Sequence, residues 1–287
     1  MRIVIKGIPS NAGALYPGTE LAPEALRKAG IVKELGLTHE VNDLGDVKLP
    51  ENLVRHNKAP IRNWPSPHIV WQESINQLEA CFEESDFAIV MGGSCSVFTG
   101  VFSKFHQIYG TNAKIITLDH HIDIKEPDNE VCMGASANTH WFLTTDNKWF
   151  ERPAGFTREG ITALGYNNET IVDGYDVAGI YGYSKDEIPE IGIDKVLRDC
   201  FDRYDKEDRI LVHLDLDVIG KSDLESVYSP SDSGLSILVV EEILKGITLD
   251  PRVSGIVITE FSGANLNNER DAAKLVNLLG RVFNSKD

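Results

Sequence analysis

The sequence predicts an α/β domain spanning residues 1–287, built on a parallel sheet with helices on both faces. Three observations predict it. Short, predominantly apolar runs recur at residues 3–5, 87–91, 114–118, 161–164, 210–216 and 255–259. Strands buried on both faces read this way, whereas half-exposed strands alternate apolar and polar residues. Amphipathic stretches of helical length separate many of these runs, as in a sheet covered on both sides. Carboxylates, imidazoles and a thiol gather where the runs stop, and open α/β sheets bind ligands at the carboxyl ends of their strands.

The elements follow in order. Strand 3–5 opens the chain. A helix over 22–29 has Pro23 in its first turn, where the missing amide hydrogen costs nothing. Residues 52–68 carry Pro, Asn and His and predict a long surface loop. A helix over 72–84 puts Ile75, Leu78 and Phe82 on one face. Strands 87–91, 114–118 and 161–164 come next. Residues 166–183, irregular and rich in Gly and Asn, predict a second long loop, and loops of this length usually shape a site. Helix 194–202 leads to strand 210–216, helix 238–247 to strand 255–259, and helix 268–283 closes the chain. No internal repeat or low-complexity segment interrupts the series.

The chain has 287 residues, with 42% hydrophobic and 25% charged, which is ordinary for a globular protein able to bury a sizeable core. Its net charge is -16, from 44 acidic and 28 basic residues. That balance argues against nucleic acid and anionic membrane as partners and permits a cationic substrate. No apolar run approaches the length of a membrane span, and the first residues lack a signal-peptide pattern, so a cytoplasmic location is expected. The four cysteines, Cys81, Cys95, Cys132 and Cys200, form no CxxC pair and no disulfide framework. Cys81 and Cys200 read as small buried hydrophobes.

Two spacings carry chemistry. Asp119-x-His121-x-Asp123 follows one strand, and alternate residues of an extended strand end face the same side. Asp215-x-Asp217 repeats the geometry on another. Four converging carboxylates and an imidazole repel and desolvate one another unless a cation sits among them, and the oxygen-rich set suits Mn²⁺. Either spacing alone is common by chance. Scattered solvated acids and a core His are the competing explanation, and placement at two strand ends weighs against it.

These residues resemble the arginase, agmatinase and formiminoglutamase family of ureohydrolases nearly end to end. Gly7-Ile-Pro-Ser-Asn-Ala-Gly13 and Pro17-Gly-Thr-Glu-Leu-Ala-Pro-Glu-Ala-Leu-Arg-Lys-Ala-Gly30 resemble the family's N-terminal segment. Gly92-Gly-Ser-Cys-Ser96 falls where the family has GGDHS, Asp119-His-His-Ile-Asp123 where it has DAHxD, and Asp215-Leu-Asp217 where DxDxxDP begins. The resemblance implies a three-layer sandwich with about eight mostly parallel strands, a trimer or hexamer, and two Mn²⁺ ions, with one ion as the alternative. Asp119 and Asp215 would lie near both ions, His121 and Asp217 would complete one site, and Asp123 and Cys95 the other. Hydroxide held by the metals would attack a guanidinium carbon and release urea and an amine. Glu260 falls where the family holds the guanidinium. Ser136-Ala-Asn-Thr-His140 resembles SGNLH, whose His shuttles protons, which assigns His140 that role and Ser136 and Asn138 to the substrate. His120 reads as structural and His213 as a buried, hydrogen-bonded His.

The chain departs from the family at telling positions. Cys95 replaces a metal-binding His and Ser94 an Asp. A softer or absent ligand there leaves open a mononuclear, zinc-type amide hydrolase resembling the related deacetylases, and beyond it a non-catalytic binding protein. The four carboxylates argue against the latter, because an unused charge cluster is costly. Lys125 stands where free-arginine arginases carry an Asn that contacts the α-carboxylate, and Gly165-Tyr-Asn-Asn-Glu169 lacks the Asp-rich pattern that takes the α-amino group. Gly220-Lys221 replaces an Asp-Pro of structural weight. The expected substrate is therefore a guanidino compound other than free arginine, such as agmatine or an arginine side chain within a peptide.

Overall fold

The computed structural model describes residues 1–171 and 175–284. Eight strands pair in parallel throughout: β1 (Arg2–Gly7), β2 (Glu40–Asp46), β3 (Phe87–Met91), β4 (Ala113–Leu118), β5 (Ile161–Tyr166), β6 (Tyr181–Ser184), β7 (Arg209–Asp215) and β8 (Val253–Thr259). Their order across the sheet is β2-β1-β3-β8-β7-β4-β5-β6.

The apolar runs divide between two cores by the two-residue period of a strand. Ile3, Ile5, Ile89, Ile116, Leu118, Val212, Leu214, Ile256 and Ile258 face one side, with the helices Ala22–Lys28, Ile193–Phe201, Ile237–Leu249 and Asn268–Asn284. Val4, Ala88, Val90, Ile115, Leu211 and Val257 face the other, against the helices Ser66–Gln77 and Val97–Tyr109. This is the three-layer α/β arrangement expected, with a sheet parallel throughout.

Where the structure departs from expectation, the reasons are local. β2 and β6 are edge strands and too polar or short to show as apolar runs. β6 begins inside the stretch read as a loop, and residues 172–174 of that stretch lie outside the described residues. The helix at 72–84 starts earlier, at Ser66, and breaks at Leu78 into a second helix, Glu79–Glu83. Val97–Tyr109 is not among the expected helices, although Val97, Phe98, Val101, Phe102, Phe105 and Ile108 recur at helical spacing; residues 97–106 are all buried.

Candidate metal centre

The four central strands of the sheet, β3, β8, β7 and β4, all end at one place. Cys95 follows β3, Glu260 follows β8, Asp215 and Asp217 end β7, and Asp119, His121 and Asp123 follow β4. Neither Asp motif continues an extended strand. β4 stops at Leu118 and β7 at Asp215, after which Leu216–Val218 makes a 3₁₀ turn. A short side-chain loop shapes each motif instead. Asp119 Oδ1 accepts the His121 N–H at 2.6 Å, and Asp215 Oδ1 accepts the Asp217 N–H at 2.9 Å. Such local carboxylate-to-backbone bonds turn the chain back within two residues. The ligands therefore converge because the backbone curls, where strand alternation had been the expectation.

The donor atoms fall into two groups, each within 4.8 Å of one another. Cys95, Asp119, Asp123 and Asp215 form a fully buried group, and Asp119, His121 and Asp217 an outer one. Asp119 belongs to both. His121 Nδ1 lies 3.0 Å from Asp217 Oδ2 and 3.6 Å from Asp119 Oδ1. Asp119 Oδ2 is buried and has no hydrogen-bond partner among the described residues. A buried, unpartnered carboxylate oxygen is costly unless something positive meets it. The donor set fits a pair of cations sharing that carboxylate.

Electrostatics point the same way. Burial, then the neighbouring Asp217 charge, pushes Asp119 up to about 6. Burial pushes Glu260 up to about 8, and it raises Asp123 and Asp215 well above the carboxylate range, helped by the other acids of the site. Burial and the same carboxylates hold the Cys95 thiol protonated. Burial alone would lower His121, but its contacts with Asp119 and Asp217 hold it protonated. A site that resists its own charges in this way would relax around divalent cations.

Glu260 and Asp123 both sit in the left-handed region, at φ 64 and φ 49, a strain that side chains other than Gly accept mainly where a site demands it. Glu260 N–H donates to Gly93 O at 2.9 Å. Gly93 is required there, since a Cβ on it would lie 1.6 Å from Ser10 O. Glu260 Oε1 accepts from the Cys95 N–H at 2.6 Å and from Ser136 Oγ at 3.3 Å. Its Oε2 is buried and has no partner among the described residues.

The remaining candidates are placed as follows. His140 lies in the short helix Thr139–Thr144, wholly buried. Its Nδ1 is 2.6 Å from Ile122 O, which fixes the proton on Nδ1 and leaves the buried Nε2 without a partner among the described residues. Burial lowers its pKa to about 4, so the ring is neutral. Lys125 makes no ion pair among the described residues, and its Nζ lies 5.9 Å from the centre of the Tyr175 ring. Asn138 is buried and spends its amide N–H on Lys125 O at 2.6 Å, bracing that residue. His120 turns away, with Nε2 3.1 Å from Ser231 Oγ. His213 is buried between Thr117 and Thr259. Sequence reasoning missed Thr259, whose Oγ1 lies 3.2 Å from Cys95 Sγ and 2.9 Å from His213 Nε2. Its place at the end of β8, directly before Glu260, was the available signal.

A family model described as the arginase family matches residues 1–282. The chain belongs to the arginase family. This arginase-family chain is 25% identical to an arginase of Staphylococcus aureus (strain COL), covering 98% of this chain and 96% of the relative. It is 28% identical to Arginase-1 of Rattus norvegicus, covering 96% and 89%. Its fold is similar to the crystal structure of Entamoeba histolytica arginase in complex with L-ornithine, at a TM-score of 0.86 and 16% identity over 98% of this chain and 97% of that one. Members of the arginase family are metal-dependent hydrolases of carbon–nitrogen bonds in linear amidines, and the buried Asp, His and Cys cluster of this member is compatible with a metal pair. No helix among its described residues is long and apolar enough to cross a membrane.

Proposed function

We propose that this arginase-family chain hydrolyses the guanidinium group of a small guanidino substrate that carries a carboxylate, releasing urea and an amine. The observation that carries the reading is Glu260 Oε2, a buried carboxylate oxygen left without a partner next to two carboxylate-rich donor groups. A guanidinium offers a carboxylate planar, charge-assisted N–H donors. Docked there, it would restore the charged form of Glu260 that burial disfavours.

Two divalent cations, with Mn²⁺ at the carboxylate–imidazole group Asp119–His121–Asp217, would supply a water of lowered pKa aimed at the substrate carbon. The residues of this chain do the rest. Asp123 and Cys95 complete the buried donor group, and Asp215 sets the turn that presents Asp217. Ser136 holds Glu260 in place through Oε1, leaving Oε2 for the substrate. His140, neutral and with Nε2 unpartnered among the described residues, accepts a proton and passes it on to the leaving amine.

Lys125 supports the carboxylate on the substrate. It is a cation without an ion pair among the described residues, two positions after the buried Asp123, in a chain of net charge -16. Its backbone is tied to Ala137 O at 3.0 Å and to Asn138 Nδ2, which anchors it next to Ser136. An anionic group at the far end of a guanidino acid would meet it, whereas agmatine would bring a second positive charge. The test is urea release from a panel of free arginine, agmatine, an ω-guanidino acid lacking an α-amine, and an arginine-containing peptide. The guanidino acid is expected to give the highest kcat/KM. Urea release best from agmatine would remove the carboxylate, and no urea from any member would remove the function.

A further inference from the structure

The two donor groups differ in chemistry. The outer group is imidazole and carboxylate, with the His121 side chain 35% exposed. The inner one holds a thiol, and all four of its residues are buried. Cys95 Sγ donates to Asp215 Oδ2, so a proton now bridges two donors that a cation would otherwise bridge. Asp119, which belongs to this group as well as the outer one, has its Oδ2 buried and without a partner among the described residues, which marks a place for a ligand.

The surroundings hold the sulfur in position. Thr259 Oγ1 lies 3.2 Å from Sγ and is itself held by His213 Nε2 at 2.9 Å, while His213 Nδ1 meets Thr117 Oγ1 at 3.2 Å. The His213 ring stacks on Phe98 at 4.4 Å. Partners behind a ligand fix its rotamer and tune its softness. A sulfur so fixed favours a borderline-soft cation, whereas a set of oxygen and imidazole donors accepts Mn²⁺.

We infer that the centre is an unlike pair, in which the inner group of Cys95, Asp119, Asp123 and Asp215 selects Zn²⁺ or Co²⁺ over Mn²⁺ and the outer group takes Mn²⁺. As the inner cation enters, the thiol proton leaves to bulk water and one sulfur–metal bond forms, with no change of oxidation state. The inference rests on the metal-dependent reading above and adds the identity of the inner ion.

Metal-free protein dialysed against Zn²⁺ with Mn²⁺ in large excess, enough to offset the general preference of imidazole and carboxylate sites for Zn²⁺, then analysed for bound metal, is expected to carry one of each per chain. Loaded with Co²⁺ alone, it should show a near-ultraviolet thiolate-to-cobalt charge-transfer band. Cys95→Ser should lose the band and lower the Zn²⁺ preference by about tenfold or more, within the range for losing a well-placed contact at a metal site. Cys132→Ser should change neither. Two Co²⁺ ions per wild-type chain without the band would overturn the unlike pair and leave the hydrolase reading standing. So would a band that persists in Cys95→Ser. No bound metal in the wild type would overturn both readings. The wild-type spectrum decides the matter even if Cys95→Ser fails to fold.

Discussion

The backbone N–H of Cys95 donates to Glu260 Oε1 at 2.6 Å, although the two residues are 165 positions apart. The residue whose thiol enters the inner donor group thus also orients the carboxylate assigned to the guanidinium. The proposed metal and substrate positions are mechanically joined at one peptide.

That junction makes Glu260→Gln informative. The substitution keeps the shape and removes the charge. Bound metal per chain should stay at the wild-type value while kcat/KM falls about a hundredfold, the equivalent of about 3 kcal/mol for a hydrogen bond to a charged group. Loss of metal along with activity would instead make Glu260 part of the metal set.

Lys125→Ala should discriminate between substrates. For a guanidino acid, kcat/KM is expected to fall about fivefold to tenfold, as befits a partly exposed ion pair worth about 1 kcal/mol. For agmatine it should hold or rise. An equal fall for both would show that Lys125 acts through the loop it anchors.

His140→Asn should lower kcat by about a hundredfold or more, the range for a lost proton-transfer group, with metal content and KM little changed. Retention of wild-type kcat would return His140 to the aromatic packing around Phe98 and His213.

The metal-free protein should lose stability as pH rises from 6.5 to 8. Glu260, raised to about 8, and Asp123 and Asp215, raised well above the carboxylate range by burial, hold protons when folded but ionise when unfolded, so the unfolded state binds fewer protons there. His121, held protonated, acts in the same direction above 6.5. Below that range, His140 and His213, kept neutral by burial, pull the other way. The check is the thermal midpoint at both pH values with and without Mn²⁺. Metal should abolish the decline, and a metal-free protein more stable at pH 8 would contradict the buried-carboxylate account.

Gly93→Ala should destabilise by about 3 kcal/mol, the upper end for forcing an atom into a packed interior, since the new Cβ would strike Ser10 O. Urea unfolding measures it, and a loss below about 1 kcal/mol would mean that the loop after β3 gives way easily.

Much of this was legible in the chain. The six apolar runs all became strands, because burial on both faces leaves a strand few polar positions to blur the pattern. Asp119, His121, Asp123, Asp215 and Asp217 announced themselves by spacing. The edge strands β2 and β6 did not, because edges carry polar residues; the helix Val97–Tyr109 was legible in the helical spacing of Val97, Phe98, Val101, Phe102, Phe105 and Ile108, yet is missing from the expected elements.

By itself, then, the sequence determined which donor types stand at which strand ends, and that a carboxylate, an imidazole and a thiol would be available for a cation. Only the tertiary structure decided that Asp119 serves both donor groups, that Cys95 joins Asp215 with Thr259 behind it, and that Glu260 keeps one oxygen without a partner among the described residues. The physical reason is the strand order. β3, β8, β7 and β4 lie side by side in the sheet while their residues are far apart in the chain, so the contacts of the site exist only once the sheet has closed its non-local pairings.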